Sequence, residues 1–493
     1  MKRVLSLILC GLILASAVTA TACAEKTDAD AGETTSAASQ TEAETEEELS
    51  DLEKRERIAD NLPDENFNGD TFSILGRDRS DFVDDIGVEL VSSADVIDDA
   101  IYRRNLAVSE RFNIQLAYDP APDPTTKLRA TVQSDDDAYD LMMGMAITTG
   151  TAALEGNYLD WYTDLPYVDL DQPWYIGNAK DALSVENHAF IMAGEFDLSI
   201  LRFTYCMYFN KKIAADYNIE DLYALVNNYQ WTIDKMSEIV SGVYSDIDGG
   251  GKRDDKDLYG FTTDFYSAAI TYQYAFDNPV MTKSEQGIPE ITYLDSKMPD
   301  IVEKLNDLFW NNNGSYPGTW GVSGPIWQES RALFLNGLFS DAENYRDLDF
   351  DFGIIPYPMW DEAQGKYYTM SDGAHDLMAV PQTVRDTDYV SIIIEALNAE
   401  SYKKVIPAYY EVALKVKYSR DEESVGILDM LLDGRTFDFG YIYDGWKGYA
   451  FLLQDLLSSK RTNFASYAKT KQKQAEKRYT EVVDSLLGLS SKE

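Results

Sequence analysis

The chain has 493 residues, 43 of them basic and 85 acidic, a net charge of −42, two histidines and three cysteines. The length favours two domains over one core, and a 45% hydrophobic share is that of a folded protein. The acidity excludes a phosphate-backbone or anionic-surface partner, and His188 and His375 are too few for a multi-histidine zinc site.

Lys2 and Arg3 precede an apolar run over 4–18 that is too short to span a bilayer, so residues 1–22 read as a secretory signal peptide. Ala20-Thr21-Ala22-Cys23 resembles the lipobox of bacterial lipoproteins, with Ala20 where leucine is usual. That resemblance implies a lipidated Cys23 as the mature N-terminus and as the only membrane attachment. The same bond is also an ordinary signal-peptidase site, which leaves a freely secreted protein open. Cys10 lies within the signal, so a modified Cys23 leaves Cys206 without a disulfide partner. Residues 23–60 are rich in Ala, Ser, Thr, Glu and Asp and read as an acidic disordered tether.

Beyond it, residues 71–75 read as a strand, 95–112 as an amphipathic helix, 114–118 as a second strand and 139–145 as a third. Strand and helix in alternation predict a parallel α/β sheet. Strand-like runs at 203–209 and 350–356, and helical ones at 231–244 and 390–399, repeat the style. Open sheets of this kind bind ligands beyond the carboxyl ends of their strands, and two lobes facing each other make a cleft.

Several segments in order carry a resemblance. Tyr208-Phe209-Asn210-Lys211-Lys212 resembles a Y-N-K strand, and Trp231-Thr232-Ile233-Asp234-Lys235-Met236 resembles a W-T-W-D-x-F helix start. Leu335-Asn336-Gly337 with Phe350 to Pro356, and then Ala379-Val380-Pro381, are similar to later family segments. Together they resemble the extracellular solute-binding proteins of bacterial carbohydrate ABC importers, the group of maltose-binding protein. The resemblance implies a type II periplasmic-binding-protein-like α/β fold, each lobe a mixed sheet flanked by helices, with the ligand cleft between. It further implies a non-enzymatic monomer that captures an oligosaccharide and passes it to permease subunits, at the extracellular face of the membrane. Lobe 1 is expected at 60–204 plus 326–383, and lobe 2 at 205–325 plus 384–490.

The stretch from Asp246 to Asp257 reads as a twelve-residue calcium loop, with Asp246, Asp248, Asp254 and Asp257 at positions one, three, nine and twelve. Gly251 takes the sharp-turn position and the Lys252 carbonyl the seventh. Gly250 replaces the usual fifth ligand, and an aspartate replaces the bidentate glutamate at twelve. A metal-free acidic turn is the alternative. Relatives resemble this loop in the same place, D-x-D-G-D-G-K before Y-G.

Sugar recognition needs flat apolar faces for ring C–H groups and polar side chains for hydroxyls. By segment resemblance the candidate faces are Tyr266, Phe339, Tyr443 and Trp446, and the candidate polar ligands are Asp197, Arg202, Asp264, Asp372 and His375. Any aromatic here is more often core than contact. No G-x-S-x-G, H-E-x-x-H, Walker A or dinucleotide glycine motif occurs. A cell-surface glycoside hydrolase, which needs only two carboxylates, and a polysaccharide-binding scaffold stay open. The basic stretch 469–478 reads as a solvated helix face or as a surface for the permeases.

Overall fold

The computed structural model describes residues 50–264, 267–294, 297–318, 321–418 and 423–490, so Cys23, the signal segment and Tyr266 lie outside the described residues. The strands are β1 (Asp70–Arg77), β2 (Ile114–Ala121), β3 (Leu141–Met145), β4 (Tyr205–Asn210), β5 (Tyr244–Ser245), β6 (Leu258–Asp264) and β7 (Met281–Lys283). They continue with β8 (Pro289–Ile291), β9 (Ser315–Gly318), β10 (Ala332–Leu338), β11 (Phe352–Ile355), β12 (Thr369–Met370), β13 (Asp376–Ala379) and β14 (Arg435–Thr436).

One lobe is built on the sheet β13-β3-β1-β2, in which β1 lies parallel to both β2 and β3, and β13 is antiparallel. Phe72, Ile74 and Leu75 of β1 are all fully buried, so both faces of the sheet are covered, as the strand–helix alternation predicts. The second lobe holds β11-β4-β10-β6-β5, with β9 beside β6. β4 is buried along its whole length between antiparallel β10 and β11.

The pairing corrects the expected lobe boundaries. β10 and β11 belong to the second sheet, so residues 326–370 leave lobe 1. The helix Thr387–Glu400 buries Val390, Ile393 and Leu397 with Phe72, Ile74 and Leu141, so residues 384–400 join lobe 1. The chain therefore crosses between lobes near 203–205, again near 371–376, and a third time along the helix that runs on from Glu400. That last crossing contains wide π-type turns at Ser401–Val405 and Ala408–Tyr418, the kind of helical irregularity found at functional positions. The described structure also includes residues expected in the tether. Asp51–Glu56 is a helix closed by a Ser50–Glu53 capping box, and Ile58 and Leu62 pack on the lobe-1 core.

Glu395 on that lobe-1 helix is fully buried and accepts hydrogen bonds from Trp174 Nε1 at 3.0 Å and the Tyr175 hydroxyl at 2.7 Å. Burial pushes its carboxyl up to about 8. The folded state thus holds a proton that the unfolded chain gives up above its ordinary carboxylate pKa. Stability falls as pH rises from that ordinary value towards 8. Glu395→Gln is expected to flatten this decline in urea titrations at pH 5 to 8; an unchanged slope would locate the sensitivity elsewhere.

Candidate functional site

The parallel strands of lobe 1 end beside lobe 2. After β2, Asp123 caps the helix Pro124–Gln133, its Oδ1 accepting from Thr126 N at 3.0 Å. After β3, the helix Ala146–Ala153 starts at once and meets the lobe-2 helix Phe439–Tyr443. Glycine makes the contact possible: a Cβ on Gly150 would lie 2.7 Å from Ile442 Cγ2 and 2.9 Å from its carbonyl oxygen. Gly150→Val should therefore wedge the lobes apart. The radius of gyration from solution scattering is expected to rise, and no change would mean that the contact yields by sliding.

Beside this contact lies a cavity of about 260 Å³, lined from lobe 1 by Asp123, Thr125, Thr126, Arg129, Thr148 and Thr151, and from lobe 2 by Gly445 and Trp446. Trp446 is 59% exposed although it stacks on Phe451, with centroids 3.7 Å apart. Its φ of 64° is a left-handed conformation uncommon for a bulky residue, and Gly445 before it has φ 58°. Arg129 is held by Glu155 at 2.6 Å. A flat indole face opposite hydroxyls, a carboxylate and a fixed guanidinium suits a polyhydroxylated ring.

Of the sequence candidates, Trp446 reaches this cavity. Phe339 is fully buried in the core of lobe 2, and buried Tyr443 donates its hydroxyl to Leu183 O across the lobes at 3.0 Å. Arg202 is spent on an inter-lobe bridge, 2.9 Å from Asp85 of lobe 1 and 3.5 Å from Glu343 of lobe 2. Asp197 is buried and accepts from the Ser199 hydroxyl at 2.6 Å; burial, then neighbouring Asp376, raises its pKa well above the carboxylate range. Asp264 accepts from the Ser323 hydroxyl at 2.8 Å. Asp372 accepts from the Tyr205 hydroxyl at 2.5 Å, and buried His375 donates from Nδ1 to Asp372 O at 2.7 Å. Asp123, Thr125, Arg129 and Thr148 were not singled out in the sequence, although each closely follows a strand of the parallel sheet.

In the acidic loop, ligand oxygens of Asp246, Asp248 and Asp257 lie within 4.8 Å of one another. Gly250 N and Gly251 N donate to Asp246 at 3.1 and 2.9 Å and wrap the loop around it. Asp257 is 0% exposed; its Oδ2 accepts from the Tyr244 hydroxyl at 3.0 Å while Oδ1 is buried without a partner. A buried carboxylate oxygen without a partner, on a side chain grouped with two further carboxylates, fits a hard divalent cation; the Lys256 ammonium stands 3.8 Å from Asp248 at the same place. The Asp254 carboxylate turns to Lys256 N at 2.9 Å, outside the group of three, and Lys252 is exposed on the same turn.

The sequence matches no family profile and no curated protein. Solved structures do align. A cyclo/maltodextrin-binding protein complexed with maltotetraose superposes at TM-score 0.54 and 11% identity, covering 86% of this chain and 98% of its own. MalE from Bdellovibrio bacteriovorus, bound to maltotriose, gives 0.52 and 13% over 83% and 99%. UspC of M. tuberculosis gives 0.55 and 11% over 83% and 100%. The chain thus has the two-lobed α/β fold of the ABC solute-binding proteins. Within that class its fold is that of the maltose-binding type.

Proposed function

We propose that this protein captures a carbohydrate between its lobes, releases it unchanged and delivers it to ABC permeases. The observation that supports this reading most is Trp446, an exposed indole in a left-handed conformation beside threonine hydroxyls of the opposite lobe. A ligand touching both lobes favours the closed arrangement by contacts that an open one lacks. Calorimetric titration with maltotetraose, maltotriose, D-tagatose and ribitol, followed by chromatography of the recovered sugar, tests it. Binding with unaltered sugar supports capture; shortened oligosaccharide would favour the glycoside hydrolase, and no binding of any of the four would overturn the reading.

Attachment through a lipidated Cys23 belongs to the same proposal. Among the described residues no helix is long and apolar enough to cross a membrane. Cys23→Ala is expected to shift the protein from the membrane fraction to the medium without altering sugar affinity, and equal retention would refute lipidation. A structural calcium ion at Asp246, Asp248 and Asp257 completes the proposal, with the Lys252 carbonyl as a further oxygen donor. It is carried by the unpartnered Asp257 oxygen.

A further inference from the structure

Most of the threonines around Trp446 have already committed their protons. Thr148 donates its hydroxyl to Met145 O at 2.9 Å and Thr151 to Ile147 O at 2.8 Å, each reaching back about one turn along the chain. Thr126 donates to Asp123 Oδ2 at 2.6 Å. A hydroxyl has one proton to give, so three of the four threonines lining this cavity keep only lone pairs for a ligand. The Asp123 carboxylate, which also accepts from Thr126 N at 3.0 Å, has no proton to offer.

The one charged donor among the lining residues is Arg129. Glu155 holds it by two parallel bonds, Nε to Oε2 at 2.6 Å and Nη2 to Oε1 at 2.8 Å. Glu155 is not itself part of the lining, so it balances the guanidinium from outside the cavity. Asp123 is the only other charged side chain that lines the recess, and its charge is left over once Arg129 and Glu155 cancel. The recess is therefore rich in acceptors and net negative.

A carboxylate or phosphate on a ligand has nothing to donate there. It would set lone pairs against lone pairs and a negative charge against Asp123. A ring hydroxyl can donate to any of these acceptors, and an ammonium group donates and offsets the charge as well. A mismatch is costly because each acceptor that loses water without gaining a partner keeps its desolvation penalty. We infer that the Trp446 recess selects rings that donate hydrogen bonds, neutral or amino sugars, and turns away sugar acids and sugar phosphates, with Asp123 setting the choice. The inference rests on the carbohydrate reading above and narrows its substrate class.

Three trimers of one linkage test it by calorimetry: maltotriose, the same trimer with its primary hydroxyls oxidised to carboxylates, and the trimer with those hydroxyls replaced by amino groups. Maltotriose and the amino trimer are expected to bind the wild type, and the oxidised trimer to bind roughly tenfold or more weakly than maltotriose. Asp123→Asn keeps a side chain that caps a helix equally well, removes the charge and adds an amide donor, so it should close most of that gap. Glu155→Gln, which leaves the Arg129 charge unbalanced, should act in the same direction. A role of Asp123 in folding alone would weaken all three trimers alike and leave the gap unchanged. An oxidised trimer that binds as tightly as either of the others, or a gap that neither variant narrows, would overturn this inference and leave the carbohydrate reading standing. If none of the three binds, this inference falls, and the four-sugar titration above decides separately whether the carbohydrate reading falls with it.

Discussion

Replacing Trp446 with alanine is expected to cost about 2–3 kcal/mol of sugar affinity, close to a hundredfold in Kd, while the melting temperature barely moves. Both halves follow from the geometry. The indole is 59% exposed, so its removal opens no cavity in the core and stability is spared. Its other face rests on Phe451, which holds the ring in place before any sugar arrives. A preorganised aromatic loses little side-chain entropy on binding, which is why truncating it costs more than its area alone suggests. Trp446→Phe should restore most of the affinity, since a flat face remains. If alanine binds as tightly as tryptophan, the sugar lies elsewhere in the cleft.

Calcium is expected to raise the melting temperature of the intact protein by several degrees, and Asp257→Asn to abolish the response. A ligand that binds only the folded state stabilises it by about 2.7 kcal/mol at a hundredfold excess over its Kd. Asp257 is the decisive position because its Oδ1 is buried without a partner in a group of three carboxylates, whose charge the Lys256 ammonium 3.8 Å from Asp248 offsets only in part and a divalent cation would balance. Tyr244 donates to this carboxylate, and Tyr259 stacks on Tyr316 with centroids 4.8 Å apart. Terbium in the calcium position should therefore luminesce on tyrosine excitation. A melting curve indifferent to calcium, with no terbium signal, would leave a metal-free acidic turn.

Much of the fold was legible because its signals are local. β1, β2 and β3 are short apolar runs bounded by turn residues, and the helix Val96–Phe112 keeps its period from cap to cap. The allocation of strands to lobes was not legible. Whether β10 joins the first sheet or the second depends on its pairing with β4, more than a hundred residues away in sequence, and no local pattern encodes that. The helix Asp51–Glu56 was missed because its composition is that of a tether, and only the Ser50–Glu53 capping pair distinguishes it. Trp446, singled out from its segment, lines the candidate cavity, whereas Phe339 could not be told from the core, since an aromatic looks alike in both settings. Asp123 and Thr148 were overlooked for the opposite reason. They are ordinary residues, and their position just beyond the strand ends of a parallel sheet is what sets them apart.

The route of the chain also bears on how the protein is made. The first sheet lacks its edge strand β13 until residues 376–379 have been synthesised, about 230 residues after β3. At ribosomal speed that gap lasts on the order of ten to fifty seconds. Until then one edge of β3 has no antiparallel neighbour, and the helix Thr387–Glu400 that covers Phe72 and Ile74 does not yet exist. A nascent chain would thus carry an unfinished first lobe for the whole of that interval. Threading through a narrow channel requires an unfinished chain, so the discontinuous lobe suits the exported protein proposed above.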